Sequence, residues 1–429
     1  MNKKALIAMS GGVDSSVAAH LMLEQGFECS GVMMKLIANE QFEPIKEQTN
    51  TVLGHESCHD KGCCTLDNAT DARSVAHQLG IPFYVFNYTD RFNEQVISRF
   101  IDAYRHGKTP NPCIDCNKYL KFGALLQRAF ELEHDYIVTG HYAQIEHNDC
   151  NRFDDSKRSK CDKQGRLGDA LAEHSEGAEH SNISVCDESS NRNNHVATNS
   201  SNTYNSRAYS RRFLLKKGVD PDKDQSYVLY TMTQEQLAHT LFPIGGLRKT
   251  DVRSIAEAQG FINKHKRESQ DICFVPDGDY ASFISRRSGY TFPKGNIVDL
   301  NGKVLGTHNG IIHYTIGQRR GLGISSSAGC YVHAINTDTN EIVVGDDSTL
   351  YSDTLFATDI NLIAYENLDA PLRAAAKIRY RHTAQPAMVT QLDDDTLKVV
   401  FDAPQRAITK GQAVVIYDGD VVVGGGTIV

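Results

Sequence analysis

Residues 9–18 read MSGGVDSSVA, after the apolar run ALIA (5–8) and ahead of an apolar-periodic stretch. Two glycines between serines at a strand-to-helix turn suggest backbone N–H groups aimed at an anion. The lysine of a Walker A loop, which would follow the last glycine, is absent. Taken alone, the pattern also fits a Gly-rich turn that packs a helix against a strand.

The surrounding sequence sets the fold class. KALIAM (4–9), CSGVMM (29–34), PFYVFNY (82–88) and YIVTG (136–140) predict strands. The segments 14–25, 68–79, 91–105 and 119–132 carry helical periodicity. This alternation predicts an α/β domain with a parallel sheet under helices and a ligand at the carboxyl ends of the strands. Residues 147–210 break the pattern, being rich in Ser and Asn and poor in large apolar groups. Such a segment cannot offset its ordering entropy and is expected to be a disordered insertion, with Cys150, Cys161 and Cys186 as passengers. Regular structure resumes at RRFLLKKG (211–218), followed by predicted helices over 234–241 and 250–259. Beyond SQDICFV (269–275) come short alternating runs, among them YVHAINT (331–337), AKIRYRH (376–382) and AVVIYDG (413–419). Gly, Asp and Asn turns separate them, which predicts a β region ending in a small barrel.

The 429 residues suffice for two or three domains. No apolar stretch approaches the ~18 residues of a membrane span, and SGGVDSS cuts short the opening apolar run before it resembles a secretion signal. A cytoplasmic protein is expected. A net charge of −8 argues against a protein that coats nucleic acid indiscriminately but leaves room for a local basic groove. Eleven cysteines, an odd count, suggest catalysis or metal binding in a reducing compartment.

Two of them stand in TPNPCIDCNKYLKFG (109–123), just ahead of the predicted helix. Thiols at a helix N-terminus with Lys118 and Lys121 nearby are expected to favour thiolate. Half of a zinc site or a redox pair would read the same way. Cys273, at the edge of a short apolar run, alone reads as a core cysteine. His55, Cys58, His59, Cys63 and Cys64 form a cluster without a regular metal-ligand spacing.

SGGVDSS resembles the pyrophosphate loop of ATP pyrophosphatases, which cleave between the α and β phosphates and transfer AMP. In order, SGGVDSS, GKTPNPCIDCNKYLKFG, TGHYA, KDQSYVLY, ESQDICF and HYTIGQRRGLGI resemble the motifs of the tRNA-specific 2-thiouridylase family. The likeness spans nearly the whole chain outside 147–210. It implies a pyrophosphatase-type catalytic domain over 1–275, a central domain over 276–352 and a C-terminal β-barrel over 353–429. It further implies an enzyme that uses ATP and Mg²⁺ to replace the C2 oxygen of the wobble uridine by sulfur, in tRNAs for Lys, Glu and Gln.

By motif position, Cys273 resembles the persulfide carrier and Cys116 the second thiol, which attacks the persulfide or closes the cycle as a disulfide. Ala8, Met9, Ser10, Gly11, Gly12, Val13, Asp14, Ser15, Met34 and Gly140 match ATP-binding positions, with Asp14 orienting Mg²⁺-bound phosphates. Asn111, Pro112 and Cys113 match the segment around the target base. His141, Lys223, Asp224, Gln225, Arg379, Tyr380 and Gln412 match tRNA-contacting positions. Tyr380 is available for stacking, and KIRYRH and GQRRG for phosphate contacts. Some members carry Asp where this chain has Cys113. Cys113, Cys116 and Cys273 could therefore hold an iron–sulfur cluster instead, as in related thiolation enzymes. The implied partners are tRNA and a sulfur donor, either a cysteine desulfurase or a sulfur-relay protein, with the chain monomeric and off the membrane. Another adenylating ligase, or a non-catalytic tRNA-binding or metal-sensing protein, would share some of these features.

Overall fold

A computed structural model describes residues 3–37, 66–147, 212–266, 272–275, 277–324 and 329–429. The Ser/Asn-rich insertion (from residue 148), the His55–Cys64 cluster and the first part of ESQDICF lie outside the described residues.

Strand β1 (Lys4–Ala8) has a buried apolar centre, as a strand covered on both faces requires. It pairs in parallel with β2 (Glu28–Lys35) on one side and β4 (Tyr136–Val138) on the other. β3 (Phe83–Asn87) and β7 (Thr240–Leu241) complete a parallel sheet of order β3-β2-β1-β4-β7. Alternation along β1 sends Ala5 and Ile7 into a core with α1 (Val13–Glu24) and α2 (Leu66–Gln78). Leu6 faces the opposite core, with Phe122, Leu125 and Leu126 of the 112–131 helix. The strand order reverses at β1, so the loops after β1 and β4 share one crevice at the carboxyl end of the sheet.

Three local expectations are corrected. The helix expected from 119 starts at Pro112, because Asn111 Oδ1 accepts from Cys113 N at 3.1 Å and Pro112 occupies the first helical position. Cys113 and Cys116 therefore lie within the helical segment, with Cys116 opening its π-helical stretch Cys116–Leu125. The helix expected over 234–241 ends at Ala238, and Thr240 joins the edge of the sheet beside Ile137. The strand expected through KIRYRH ends at Lys377, so Arg379 and Tyr380 sit in the turn that follows it. There His382 N donates to Arg379 O at 3.0 Å, while Tyr380 packs edge-on to Tyr227.

The central residues form a four-stranded sheet of order β10-β11-β8-β9, from β8 (Gly295–Val298), β9 (Val304–His308), β10 (Tyr331–Asn336) and β11 (Glu341–Gly345). The C-terminal barrel runs from β12 (Tyr351–Leu362) through β15 (Thr396–Arg406), β14 (Gln385–Asp393), β13 (Leu372–Lys377) and β16 (Ala413–Asp418) to β17 (Val421–Ile428). Pairing of β12 with β17 closes it. A hairpin of β5 (Ala143–His147) and β6 (Phe213–Lys217) extends this sheet, β6 meeting β17 at Lys216 and Val421. Among the described residues no helix is long and apolar enough to cross a membrane.

Candidate active site

Met9, which follows β1, donates its N–H to Val32 O at 2.8 Å and so continues the sheet into the loop. Gly11 then takes φ +75°, and a Cβ there would stand 2.2 Å from Asn68 O. Only glycine meets both conditions. Asn263 Nδ2 holds the loop by donating to Gly11 O at 3.0 Å and to Ser16 Oγ at 2.9 Å. Ser15 and Ser16 donate their hydroxyls to Gly12 O at 3.0 and 3.1 Å. These two hydroxyls brace the turn. No side chain caps the start of α1, and a helix start of that kind suits an anion.

The loop after β4 closes on this turn. A Cβ on Gly140 would lie 2.8 Å from both Asp14 C and Ser15 N, so glycine is what lets the two loops touch. Next to it, Tyr142 donates its hydroxyl to Asp14 Oδ1 at 2.8 Å, and Lys249 Nζ donates to the same oxygen at 2.7 Å. Lys266 forms an ion pair with Asp71 close by.

A cavity of about 1440 Å³ joins this phosphate-type loop to the cysteines. Its lining includes Ala8, Asp14, Met34, Gly140 and His141, and also Cys113, Cys116 and Cys273. Lys223, Asp224, Gln225 and Tyr380 border it as well, whereas Gly11, Asn111, Arg379 and Gln412 lie outside the lining. Cys113 is exposed. Cys116 and Cys273 are half-buried and pack against an apolar cluster containing Phe92, Leu120 and Phe274. None of the described cysteines is in a disulfide. Nor does any group of three or more His, Cys, Asp or Glu side chains among the described residues form a metal-ligand set.

His141 is buried between the rings of Phe122 and Phe242, with its Nδ1 2.6 Å from Thr139 Oγ1. Burial, reinforced by the Lys121 ammonium, pushes its pKa well below the usual imidazole value. The site therefore presents a neutral imidazole at pH 7. Asp115 also feels burial, which raises its carboxyl pKa, while Arg99 at 3.4 Å draws it the other way.

Several residues matched to tRNA contacts are engaged within the protein. Asp224 Oδ1 accepts from Gly218 N and Ser226 N at 3.1 and 3.0 Å. Gln225 exchanges two hydrogen bonds with the Tyr142 backbone, through its own N–H at 2.9 Å and its Oε1 at 3.0 Å. Arg379 donates to Arg406 O at 3.2 Å. Lys377, the first residue of KIRYRH, puts its ammonium 5.8 Å from the Tyr227 ring centre and 5.7 Å from that of Tyr380. Burial lowers its pKa, offset in part by Asp224. Lys249 and Lys266 fall in none of the quoted motifs, and Tyr142 lies in TGHYA without a role of its own there. The one signal for Lys249 is a lysine at the start of a predicted helix, where the dipole disfavours it.

Residues 3–165 and 185–277 match the family described as "tRNA methyl transferase HUP domain". Residues 281–346 match a "tRNA methyl transferase PRC-barrel domain", and 352–428 an "Aminomethyltransferase beta-barrel domain". The chain is 44% identical to "tRNA-specific 2-thiouridylase MnmA" of Clostridioides difficile, over 100% of this chain and 98% of that protein. It is 42% identical to the protein of the same name in Clostridium acetobutylicum, with 100% of both covered. The Acetivibrio thermocellus protein of that name is also 42% identical, with 99% of each covered.

Proposed function

The chain belongs to the tRNA-specific 2-thiouridylase family, and from that premise we propose that it uses ATP to replace the C2 oxygen of a tRNA wobble uridine by sulfur. The carrying observation is that one cavity is lined both by the SGGVDSS loop and by Cys113, Cys116 and Cys273. A uracil C2 carbonyl is a poor electrophile, and its oxygen is a poor leaving group. Attack of that oxygen on the α-phosphorus of ATP releases pyrophosphate and leaves AMP on the oxygen, which addresses both difficulties. Methyl transfer, which two of the family descriptions name, would leave a pyrophosphate-type loop without a task.

The first-turn N–H groups of α1 bind the departing pyrophosphate. Asp14 would hold the phosphate-bound Mg²⁺, which would supply charge neutralisation there. Cys273 carries the persulfide. The Cys116 thiolate attacks Sγ of Cys273, forms the disulfide and releases the outer sulfur toward C2, from which AMP departs. An external thiol then reduces the disulfide. The apolar surroundings of Cys116 and Cys273 shield this sulfur from water. Lys223, Lys377 and Tyr380 line the same cavity, two cations and a ring suited to the phosphates and bases of an anticodon. The chain acts as a cytoplasmic monomer, supplied by a cysteine desulfurase or sulfur-relay protein.

A second reading rests on the same three thiols, which could ligate an iron–sulfur cluster with one open position. Cys113, Cys116 and Cys273 line one cavity with the SGGVDSS loop, and the half-buried Cys116 and Cys273 against the exposed Cys113 suit a two-thiol relay beside the base. The deciding assay combines the protein, ATP, unmodified tRNA, and cysteine with a cysteine desulfurase. Formation of AMP that requires tRNA, with 2-thiouridine found by mass spectrometry, is the expected result. ATP cleavage indifferent to tRNA, with no 2-thiouridine, would overturn the reading.

A further inference from the structure

The loop lacks its own lysine, yet the fold brings one to it from far along the chain. Lys249 opens the helix Lys249–Ala258, and its ammonium reaches Asp14 Oδ1 at 2.7 Å. Its side chain is 11% exposed, and it lines the same cavity as Ser10, Gly12 and Ser15. A lysine there is doubly disfavoured, by burial and by the positive end of its own helix. A merely structural link between the two helices could be apolar at lower cost. The backbone of Lys249 is fixed independently, its N–H donating to Asp220 Oδ2 at 2.9 Å. Its ammonium lies 5.7 Å from the Tyr142 ring centre, whose hydroxyl meets the same Asp14 oxygen.

We propose that Lys249 is the phosphate-binding cation of this lysine-free loop, holding the pyrophosphate that leaves during adenylation. The inference rests on the adenylation reading above. As the uridine oxygen bonds to the α-phosphorus, the bond from that phosphorus to the bridging oxygen breaks, and its electron pair stays with pyrophosphate. Lys249 offsets the charge that develops there, without giving up a proton. Asp14 holds the ammonium in position beforehand and releases it to the phosphate.

The test compares wild type with Lys249→Met and Lys249→Arg. Titration calorimetry measures binding of inorganic pyrophosphate and of AMP, and single-turnover assays measure AMP formed with tRNA. Lys249→Met should bind pyrophosphate about tenfold or more weakly, the scale of a charge-assisted hydrogen bond, with AMP binding unchanged. Its adenylation rate should fall about 10²–10³-fold, the scale of one lost transition-state donor, and Lys249→Arg should recover part of it. Unchanged pyrophosphate binding, or equal weakening of pyrophosphate and AMP, would overturn the proposal, since a lysine that only braces Asp14 gives one of those results. If Lys249→Met does not fold, Asp14→Asn decides: pyrophosphate binding without Mg²⁺ should persist, and its loss would overturn the proposal. Failure of the wild type to form AMP with tRNA would instead refute the adenylation reading, and the binding titrations keep the two failures apart.

Discussion

Gln412 Nε2 donates to the carbonyl oxygen of Thr109 at 2.7 Å, so the C-terminal barrel grips the loop that enters the cysteine-bearing helix. Thr109 N donates in turn to Lys410 O at 2.9 Å. Between them Gly411 takes φ +88°, where a Cβ would meet Lys108 Cβ at 2.9 Å and Thr109 N at 3.1 Å. Gly411→Ala is therefore expected to cost about 1–3 kcal/mol, the range for a strained backbone conformation. Because this grip holds Thr109, in the loop that leads to Cys113, rather than the phosphate loop, thiolation should fall several-fold more than pyrophosphate affinity. Urea unfolding and paired thiolation and binding assays check this, and equal losses in both would contradict it.

The buried imidazole of His141 makes stability depend on pH. Its folded pKa lies well below the value of about 6.5 in the unfolded chain. Between those two values the unfolded chain binds more protons, so stability falls as pH drops below about 6.5. His134 and His382 are shifted the same way by burial and add to the slope. Replacing His141 with Gln should flatten the loss between about pH 7 and pH 5.5 without abolishing it. Urea midpoints across that range would show this, and an unchanged slope would mean that His141 does not carry the effect.

The strands flanking the long insertion pair directly, His147 opposite Phe213 and Ala143 opposite Lys217. Residues 148–211 thus take the place of a hairpin connection, which a few Gly and Ser residues can supply. Such a replacement should leave the melting temperature and thiolation close to wild type. A folded variant that no longer binds tRNA would assign function to the insertion.

The sheet was readable because β1, β2 and β4 are apolar runs long enough to stand out, and the helix start at Asn111–Pro112 carries a cap signal that periodicity alone overlooked. β7 was not readable, since two residues at a sheet edge leave no pattern. The turn at Arg379 and Tyr380 depends on contacts with Tyr227 and Asp224, about 150 positions away in the chain. Such packing overrides local alternation. The lysine at Asp14 escaped for the same reason: spacing within SGGVDSS reports what the loop lacks, and only the fold shows what replaces it.

Cys113 separates the two sulfur chemistries. On the persulfide account it stands beside the target base, and Cys113→Asp should keep thiolation within a few-fold, as Asp at this position in other family members suggests. On the cluster account it is one of three iron ligands, and a hard carboxylate replaces thiolate poorly. Anaerobic purification with iron and sulfide analysis, followed by thiolation assays, distinguishes them. Activity that follows iron content in the wild type and disappears in Cys113→Asp would contradict the persulfide account.

The central claim, that activation of the base precedes and does not require the sulfur carrier, is tested most directly with Cys273→Ser. Single-turnover reaction of this variant with ATP and unmodified tRNA should release pyrophosphate at the wild-type rate and leave AMP on the tRNA. No 2-thiouridine should form when the sulfur donor is added. A folded Cys273→Ser protein that fails to adenylate tRNA would contradict the account, because Cys273 would then belong to the activation step itself.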